Sequence, residues 1–259
     1  MIQTTPEVLD ALDRGATLAL SMSGGKDSQA MTLAVLAWLR ETGRTNPVTA
    51  VHADLGRAEW HQTHAIVRAQ AEAYGLDLTI VQRTKGDLLE RITARAAQVG
   101  DEKPFWPSAS NRYCTSDLKR DPIDKYLRGL PTELVISVEG IRAQESNARA
   151  KKPCTETRKR ITTQTREAIT WRPIIEWTEA QVWETIGGRS GHLVHPAYAL
   201  GNERLSCSLC ILASAGDLQR GATHNPEYAN ELADLEELYG WTFREDVSIL
   251  ALCQELGIR

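Results

Sequence analysis

The feature that most constrains this chain is a junction. Thr17-Leu18-Ala19-Leu20-Ser21-Met22 reads as a buried strand, and Ser23-Gly24-Gly25-Lys26-Asp27-Ser28 follows without a spacer. Residues 28–41 then carry Met31, Val35, Trp38 and Leu39 at helical spacing. A strand passing straight into a helix opens a βαβ unit. Two glycines let the backbone turn tightly and bring N–H groups close to an anion. The new helix adds the positive end of its dipole. Lys26 supplies a mobile cation, and Ser23 and Ser28 supply hydroxyl donors. Asp27 is the odd member of an anion trap, and either caps the helix or holds Mg²⁺ on bound phosphates. The spacing is not the Gly-x4-Gly-Lys-Ser/Thr of the common nucleotide P-loop.

Four further runs read as strands, at 48–53, 78–82, 134–138 and 169–174, with helical patterns at 59–74, 86–99 and 119–127. The alternation predicts an α/β fold. Its expected form is a doubly wound, mostly parallel five-stranded sheet flanked by helices, with a helical C-terminal appendage. After residue 176 the pattern changes. Residues 178–186 form a short helix behind a Thr cap, 187–206 read as loop, and 217–220 and 227–239 read as helical. The expected organisation is a nucleotide-binding domain over 1–215 and a helical extension of the same domain over 216–259.

Charge is nearly balanced, 30 Lys and Arg against 34 Asp and Glu, which argues against a general polyanion binder. Locally it is segregated. Residues 142–172 hold nine Lys and Arg against three Glu, and 227–246 hold seven acids against one Arg. The basic segment follows a strand end, where α/β folds bind ligands, so it reads as facing a polyanion. The acidic segment reads as a solvated helical face. No run approaches the about 18 apolar residues of a membrane span, and residues 1–14 show no secretory pattern. A cytoplasmic location without membrane contact is therefore expected. Five cysteines in a reducing compartment point to metal or redox chemistry, or to core filling, rather than to disulfides.

Ser23-Gly24-Gly25-Lys26-Asp27-Ser28 resembles the PP-loop of ATP pyrophosphatases, which cleave ATP between the α- and β-phosphates. Further motifs follow in a fixed order. They are Arg112-Tyr113-Cys114-Thr115-Ser116-Asp117-Leu118-Lys119, Gly140-Ile141-Arg142 with Arg149, Trp171-Arg172-Pro173-Ile174-Ile175-Glu176-Trp177-Thr178, His195-Pro196-Ala197-Tyr198, and Cys207-Ser208-Leu209-Cys210. The series, over residues 15–215, is similar to the phosphoadenosine phosphosulfate reductase-like family of the PP-loop superfamily. The resemblance implies that Ser21, Ser23, Gly24, Gly25, Lys26, Asp27, Ser28, Asp54, Gly140 and Arg142 bind nucleotide. Asp54 equally suits a turn acid. Arg112, Lys119 and Arg149 are candidate phosphate or substrate contacts, and Lys26, Asp27 and Cys114 candidate catalytic residues. Arg112, Lys119 and Arg120 are expected to favour thiolate at Cys114. His195 suits either a ligand contact or a satisfied loop histidine, and Trp106 either a lid or a packed anchor.

Cys207-x-x-Cys210 is a short chelate suited to iron–sulfur or zinc, with two core hydrophobes as the bland alternative. The resemblance adds Cys114 as a third ligand. Cluster-bearing sulfonucleotide reductases have a Cys-Cys pair here, whereas residue 113 is Tyr. Cys154 is a candidate replacement for the missing fourth ligand. A [4Fe–4S] cluster is favoured over zinc, and Cys253 reads as core. The implied cofactors are thus ATP with Mg²⁺ and a cluster at Cys114, Cys207 and Cys210.

The implied function is ATP-dependent sulfur transfer or adenylation, forming AMP and pyrophosphate. Lys26 would stabilise the leaving group. Thiol-dependent sulfonucleotide reduction is the first alternative. It is disfavoured by the intact loop and by an ending, Leu252-Cys253-Gln254-Glu255-Leu256-Gly257-Ile258-Arg259, that lacks the Glu-Cys-Gly-(Leu/Ile)-His tail of those enzymes. A non-catalytic nucleotide-binding module is the second. Expected partners are a small-molecule nucleotide, a sulfur-donor protein, and a nucleic-acid acceptor on the 142–172 segment.

Overall fold

The computed structural model describes residues Met1–Arg259. The strands are β1 (Thr17–Ser21), β2 (Val48–Asp54), β3 (Leu78–Gln82), β4 (Leu134–Glu139), β5 (Thr155–Thr157) and β6 (Glu167–Trp171). The helices begin with α1 (Pro6–Asp13), α2 (Lys26–Glu41), α3 (Thr63–Ala73), α4 (Leu88–Val99), α5 (Tyr113–Thr115) and α6 (Asp121–Gly129). They continue with α7 (Asn147–Ala150), α8 (Glu179–Thr185), α9 (Ala215–His224), α10 (Pro226–Tyr239) and α11 (Ile249–Glu255). Two compact units result. The first is Met1–His52, Thr63–Val81 and Ile123–His195, and the second is Ala53–Gln62, Gln82–Pro122 and Pro196–Arg259.

The first unit is built on a six-stranded sheet in the order β3-β2-β1-β4-β6-β5. β1 pairs parallel with β2 and β4, and β4 pairs parallel with β6. The sixth strand, absent from the sequence-based expectation, is β5, which runs antiparallel to β6 at the edge. Thr155-Glu156-Thr157 has no apolar alternation to announce it, so pairing with β6 alone makes it a strand. Leu18 and Leu20 of β1 are fully buried, with Ile136 and Val138 of β4 and Met31 and Val35 of α2 in the same cluster. Each such side chain contributes about 1.5–3 kcal/mol relative to exposure. α1 was not expected from the sequence; it turns Val8, Ala11 and Leu12 into this core behind a first-turn proline.

The chain order reverses between β1 and β4, which connect onward in opposite directions. Open α/β sheets bind ligands outside the carboxyl ends of strands at such a point. The parallel register sets Ser21 beside Glu139, so the loops after β1 and β4 emerge together.

In the second unit α4, α9, α10 and α11 close around Phe105, Trp106, Tyr228 and Phe243. Trp106 is the packed anchor. Its indole N–H donates to the Trp241 carbonyl at 2.8 Å, and its ring lies 4.4 Å from that of Phe105. Cys253 is fully buried in this core, as expected. No helix is long and apolar enough to cross a membrane.

Candidate functional site

In the first unit the loop after β1 holds itself open with its own hydroxyls. Ser28 Oγ donates to the Gly25 carbonyl at 2.9 Å and accepts from the Ser23 N–H at 3.1 Å. The Ser23 and Ser28 hydroxyls lie 3.1 Å apart. Gly24 has a φ of +76°, a region other residues rarely enter, and a Cβ there would press on Val67 Cγ2 at 3.2 Å. Gly25, in extended conformation, is the N-cap of α2 without a side-chain cap, so the first-turn N–H groups are left facing the loop. Asp27 is therefore not the cap. It lies in the first turn and is ion-paired with Arg142.

Gly140 explains how the β4 loop comes so near. A Cβ at this position would stand 2.7 Å from the Asp27 carbonyl oxygen and 2.8 Å from Ser28 Cα. Only a residue without a side chain lets the two loops touch here. Two residues on, Arg142 is 4 % exposed and reaches Asp27 and the Gln144 amide oxygen. Its backbone N–H donates to Glu145 at 2.8 Å. Arg149, the other proposed phosphate contact, is paired with Glu145.

Lys26 is 2 % exposed. Its ammonium lies 3.6 Å from Asp27 Oδ2, 3.9 Å from Glu179 Oε1 and 5.7 Å from the Trp183 ring centroid. Neither Glu179 nor Trp183, the latter part of a Val182-Trp183 motif that follows Thr178, carries an assigned role in the sequence. Their spacing of four residues on the short α8 helix, which puts both on one face, was the available signal. Behind the loop, His195 is 1 % exposed, with Nε2 3.2 Å from Thr63 Oγ1 and Cδ2 beside Gly24. Burial lowers its pKa to about 4, so at neutral pH it is an uncharged packing and hydrogen-bonding group. Gln70, fully buried, donates to the carbonyls of Leu193 and Gly24 from the same side.

The 142–172 segment is less available to a polyanion than its composition predicts. Arg158 and Arg160 both donate to the fully buried Asp124 at 2.8 Å. Arg172, 2 % exposed, is paired with Glu156 and with Glu139 at the end of β4. Arg166 donates to the carbonyls of Leu127, Arg128 and Leu130.

In the second unit, Asp54 Oδ1 accepts the Gly56 N–H at 2.7 Å, making the turn in which Gly56 has a φ of +68°. Cys114, Cys207 and Cys210 belong to this unit, and all three are half-buried. The Cys207 thiol is pushed up to about 12, first by burial and further by Cys210, Glu59 and Cys114, with Lys119 opposing. The three thiols thus share one electrostatic neighbourhood that Lys119 faces.

The Cys-x-x-Cys loop is locked in place. Ser208 donates both its N–H and its hydroxyl to the Ala58 carbonyl, at 2.8 and 3.1 Å, and its Oγ accepts from Asn225 at 3.1 Å. A Cβ on Gly221 would stand 1.8 Å from the Ser208 carbonyl oxygen, so α9 lies directly on the loop. Arg112 is exposed at the N-cap of α5. Tyr113, where a second cysteine would extend the donor set, is core: its hydroxyl donates to the Phe105 carbonyl at 2.7 Å and Arg91 stacks on its ring. Cys154 belongs to the first unit, where its thiol faces the carbonyls of Gln3 and Arg172 at 3.7 Å and burial raises its pKa.

Thiolate sulfur is the soft donor that a thiophilic metal or an iron–sulfur cluster takes, and Cys114, Cys207 and Cys210 supply three such donors in this unit.

A family model of the phosphoadenosine phosphosulfate reductase domain matches residues 17–213. The chain is 28% identical over 264 residues to the uncharacterised 37.8 kDa protein in the gpa 5' region of Escherichia phage 186, covering 85% of this chain and 74% of that protein. It is 27% identical over 221 residues to an uncharacterised protein of Methanocaldococcus jannaschii, covering 85% of this chain and 48% of the relative. The chain therefore spans about half the length of that archaeal relative.

Among solved structures, Candida glabrata FMN adenylyltransferase in complex with FMN and the ATP analogue AMPCPP matches with a TM-score of 0.50 at 17% identity, over 76% of this chain and 56% of that one. This likeness is one of fold. A U34-tRNA thiolase from Methanococcus maripaludis, solved with its [4Fe–4S] cluster, gives a TM-score of 0.47 at 14% identity, over 96% of this chain and 73% of that one. With most of its length matched by the family model, the chain belongs to the phosphoadenosine phosphosulfate reductase domain family.

Proposed function

We propose that this protein is an ATP-dependent enzyme that cleaves between the α- and β-phosphates, in a sulfur-transfer or adenylation reaction. The observation that carries the reading is the intact loop. Gly24 and Gly25 open α2 with uncapped N–H groups, and the buried Lys26 ammonium stands in its first turn. Charge develops on the departing pyrophosphate. An ammonium and N–H groups already fixed in a dry site stabilise it without reorganising. Arg142 adds a planar guanidinium suited to phosphate oxygens. Its pairing with Asp27 neutralises both groups until phosphates and Mg²⁺ supply new partners for each.

Cys114, Cys207 and Cys210 are the residues that would hold a cluster or carry sulfur. A cluster with an open iron would supply a site for sulfide. A thiol pushed upward by burial, as that of Cys207 is, is a poor nucleophile until a metal or a cation displaces its proton, which gives Lys119 a role beside Cys207.

The test is incubation with labelled ATP, Mg²⁺ and candidate acceptors, scored for AMP and pyrophosphate. Lys26→Ala is expected to lower pyrophosphate release at least about 100-fold, the loss typical of one preorganised charge-stabilising group. Release unchanged in that variant would refute the assignment. Sulfite formed from phosphoadenosine phosphosulfate with thioredoxin would instead establish reduction. Nucleotide binding with neither product would establish a non-catalytic module.

A further inference from the structure

Glu179 Oε1 gathers three donors at once. Lys26 Nζ lies 3.9 Å away, Arg189 Nη2 3.6 Å away, and the Trp183 indole N–H donates to it at 3.0 Å. Arg189 also stacks on Trp183, its guanidinium carbon 4.7 Å from the ring centroid. The two cations therefore stand no farther apart than the sum of their contacts to one oxygen, a span that two or three linked phosphates bridge. Lys26 is buried, whereas the Arg189 side chain is 63 % exposed. Exposed ion pairs are weakly held and readily exchanged. Arg189 also rides on a segment with Gly187, Gly188 and Gly191 at positive φ, so the backbone around it has the freedom to re-aim the side chain.

We propose that Arg189 is a phosphate-binding residue of this site, parked on Glu179 and Trp183 while no nucleotide is bound. A phosphate chain takes Arg189 and Lys26 together from Glu179. This rests on the reading of the loop as a nucleotide phosphate site, and it deepens that reading by naming the ligand class. The site selects compounds with at least two linked phosphates over monophosphates, because a single phosphate seated on the uncapped N–H groups of α2 is held in the loop, whereas a second linked phosphate is left to replace Glu179 on Arg189. Glu179 acts as the internal competitor. It keeps two neighbouring cations from repelling each other and sets how strongly a ligand must bind to displace it.

The experiment is calorimetric titration of the full chain with inorganic pyrophosphate, with an ATP analogue that cannot be cleaved between its α- and β-phosphates, and with AMP. Arg189→Ala is expected to weaken pyrophosphate and the ATP analogue by about 10- to 100-fold, the worth of a charge-assisted hydrogen-bond pair, and to leave AMP within about twofold. Arg189→Lys is expected to recover only part of the loss, since an ammonium lacks the planar fork. Glu179→Gln keeps the bond to the Trp183 indole but removes the competing charge, so it is expected to tighten pyrophosphate several-fold. Unchanged pyrophosphate binding in Arg189→Ala, or an equal loss for AMP, overturns the proposal. Lys26→Ala separates the two levels of the argument. If it weakens the ATP analogue while Arg189→Ala does not, the phosphate loop stands and this inference falls. If the wild-type chain binds neither pyrophosphate nor the analogue, both fall.

Discussion

His195 shows what a single buried group does to the behaviour of the whole chain. Its imidazole meets Thr63 through Nε2, the adjacent Cδ2 lies beside Gly24, and burial lowers its pKa from 6.5 to about 4. The unfolded chain takes up a proton here as pH falls below 6.5, and the folded chain does not until about 4. Between those values the unfolded state binds more protons, so stability falls with acidification. The full effect of a shift this large is about 3 kcal/mol. Urea unfolding from pH 7.5 down to pH 4.5 is expected to show that decline, and His195→Asn to flatten it. An equally steep decline in the variant would assign the acid sensitivity to other groups. The residues of the phosphate loop were legible in the sequence, because Ser-Gly-Gly-Lys-Asp-Ser is contiguous and its strand–turn–helix setting is local. The pairings around them were not. Arg142 meets Asp27 across 115 residues and His195 meets Thr63 across 132, and only the β1–β4 register and the packing of α3 bring them together.

At the scale of elements, α10 carries most of the acids that read as a solvated face. For Asp234 and Glu237 that reading holds, since both are exposed and pair with Arg259, while the half-buried Glu231 pairs with Arg57. Glu236 is different. It is 5 % exposed and accepts from the N–H groups of Phe243, Ile249 and Leu250 and from the Ser248 hydroxyl. One carboxylate thus satisfies the turn before α11 and the first N–H groups of that helix, where the dipole favours negative charge. Glu236→Ala strands those buried donors and is expected to cost about 3–5 kcal/mol, whereas Glu236→Gln, which keeps half of the acceptors, costs about 1–2. Urea midpoints give the totals. Hydrogen exchange is expected to show the loss first at Ile249, Leu250 and Ala251, and uniform exchange across α10 and α11 would count against a local latch. The periodic elements, from β1 to α10, were legible within a few residues. What escaped were features whose cause lies outside their own sequence: β5, made a strand by its neighbour, and Gly221, required by the carbonyl of Ser208.

For the whole molecule, near-neutrality reads in the sequence as two opposite faces that cancel along the chain. The structure replaces this with local compensation. Within residues 142–172, Arg142, Arg149, Arg158, Arg160 and Arg172 each hold a carboxylate, and Arg166 is spent on backbone carbonyls at the end of α6. The exposed lysines of the segment are Lys151, Lys152 and Lys159. A nucleic-acid acceptor docking here would therefore release counterions at about three positions rather than nine. The slope of log K against log salt is expected to lie between about −2 and −3, since each neutralised phosphate contributes about −0.7 to −0.9. Anisotropy of a labelled RNA or DNA between 50 and 200 mM salt measures it. Replacing the three lysines with Glu is expected to abolish the binding while leaving nucleotide affinity intact. A slope steeper than about −6 would mean that the arginines leave their carboxylates for the phosphates. The internal pairs would then be a reserve of charge, and the composition of the segment, rather than its folded pairing, would be the better guide to the partner.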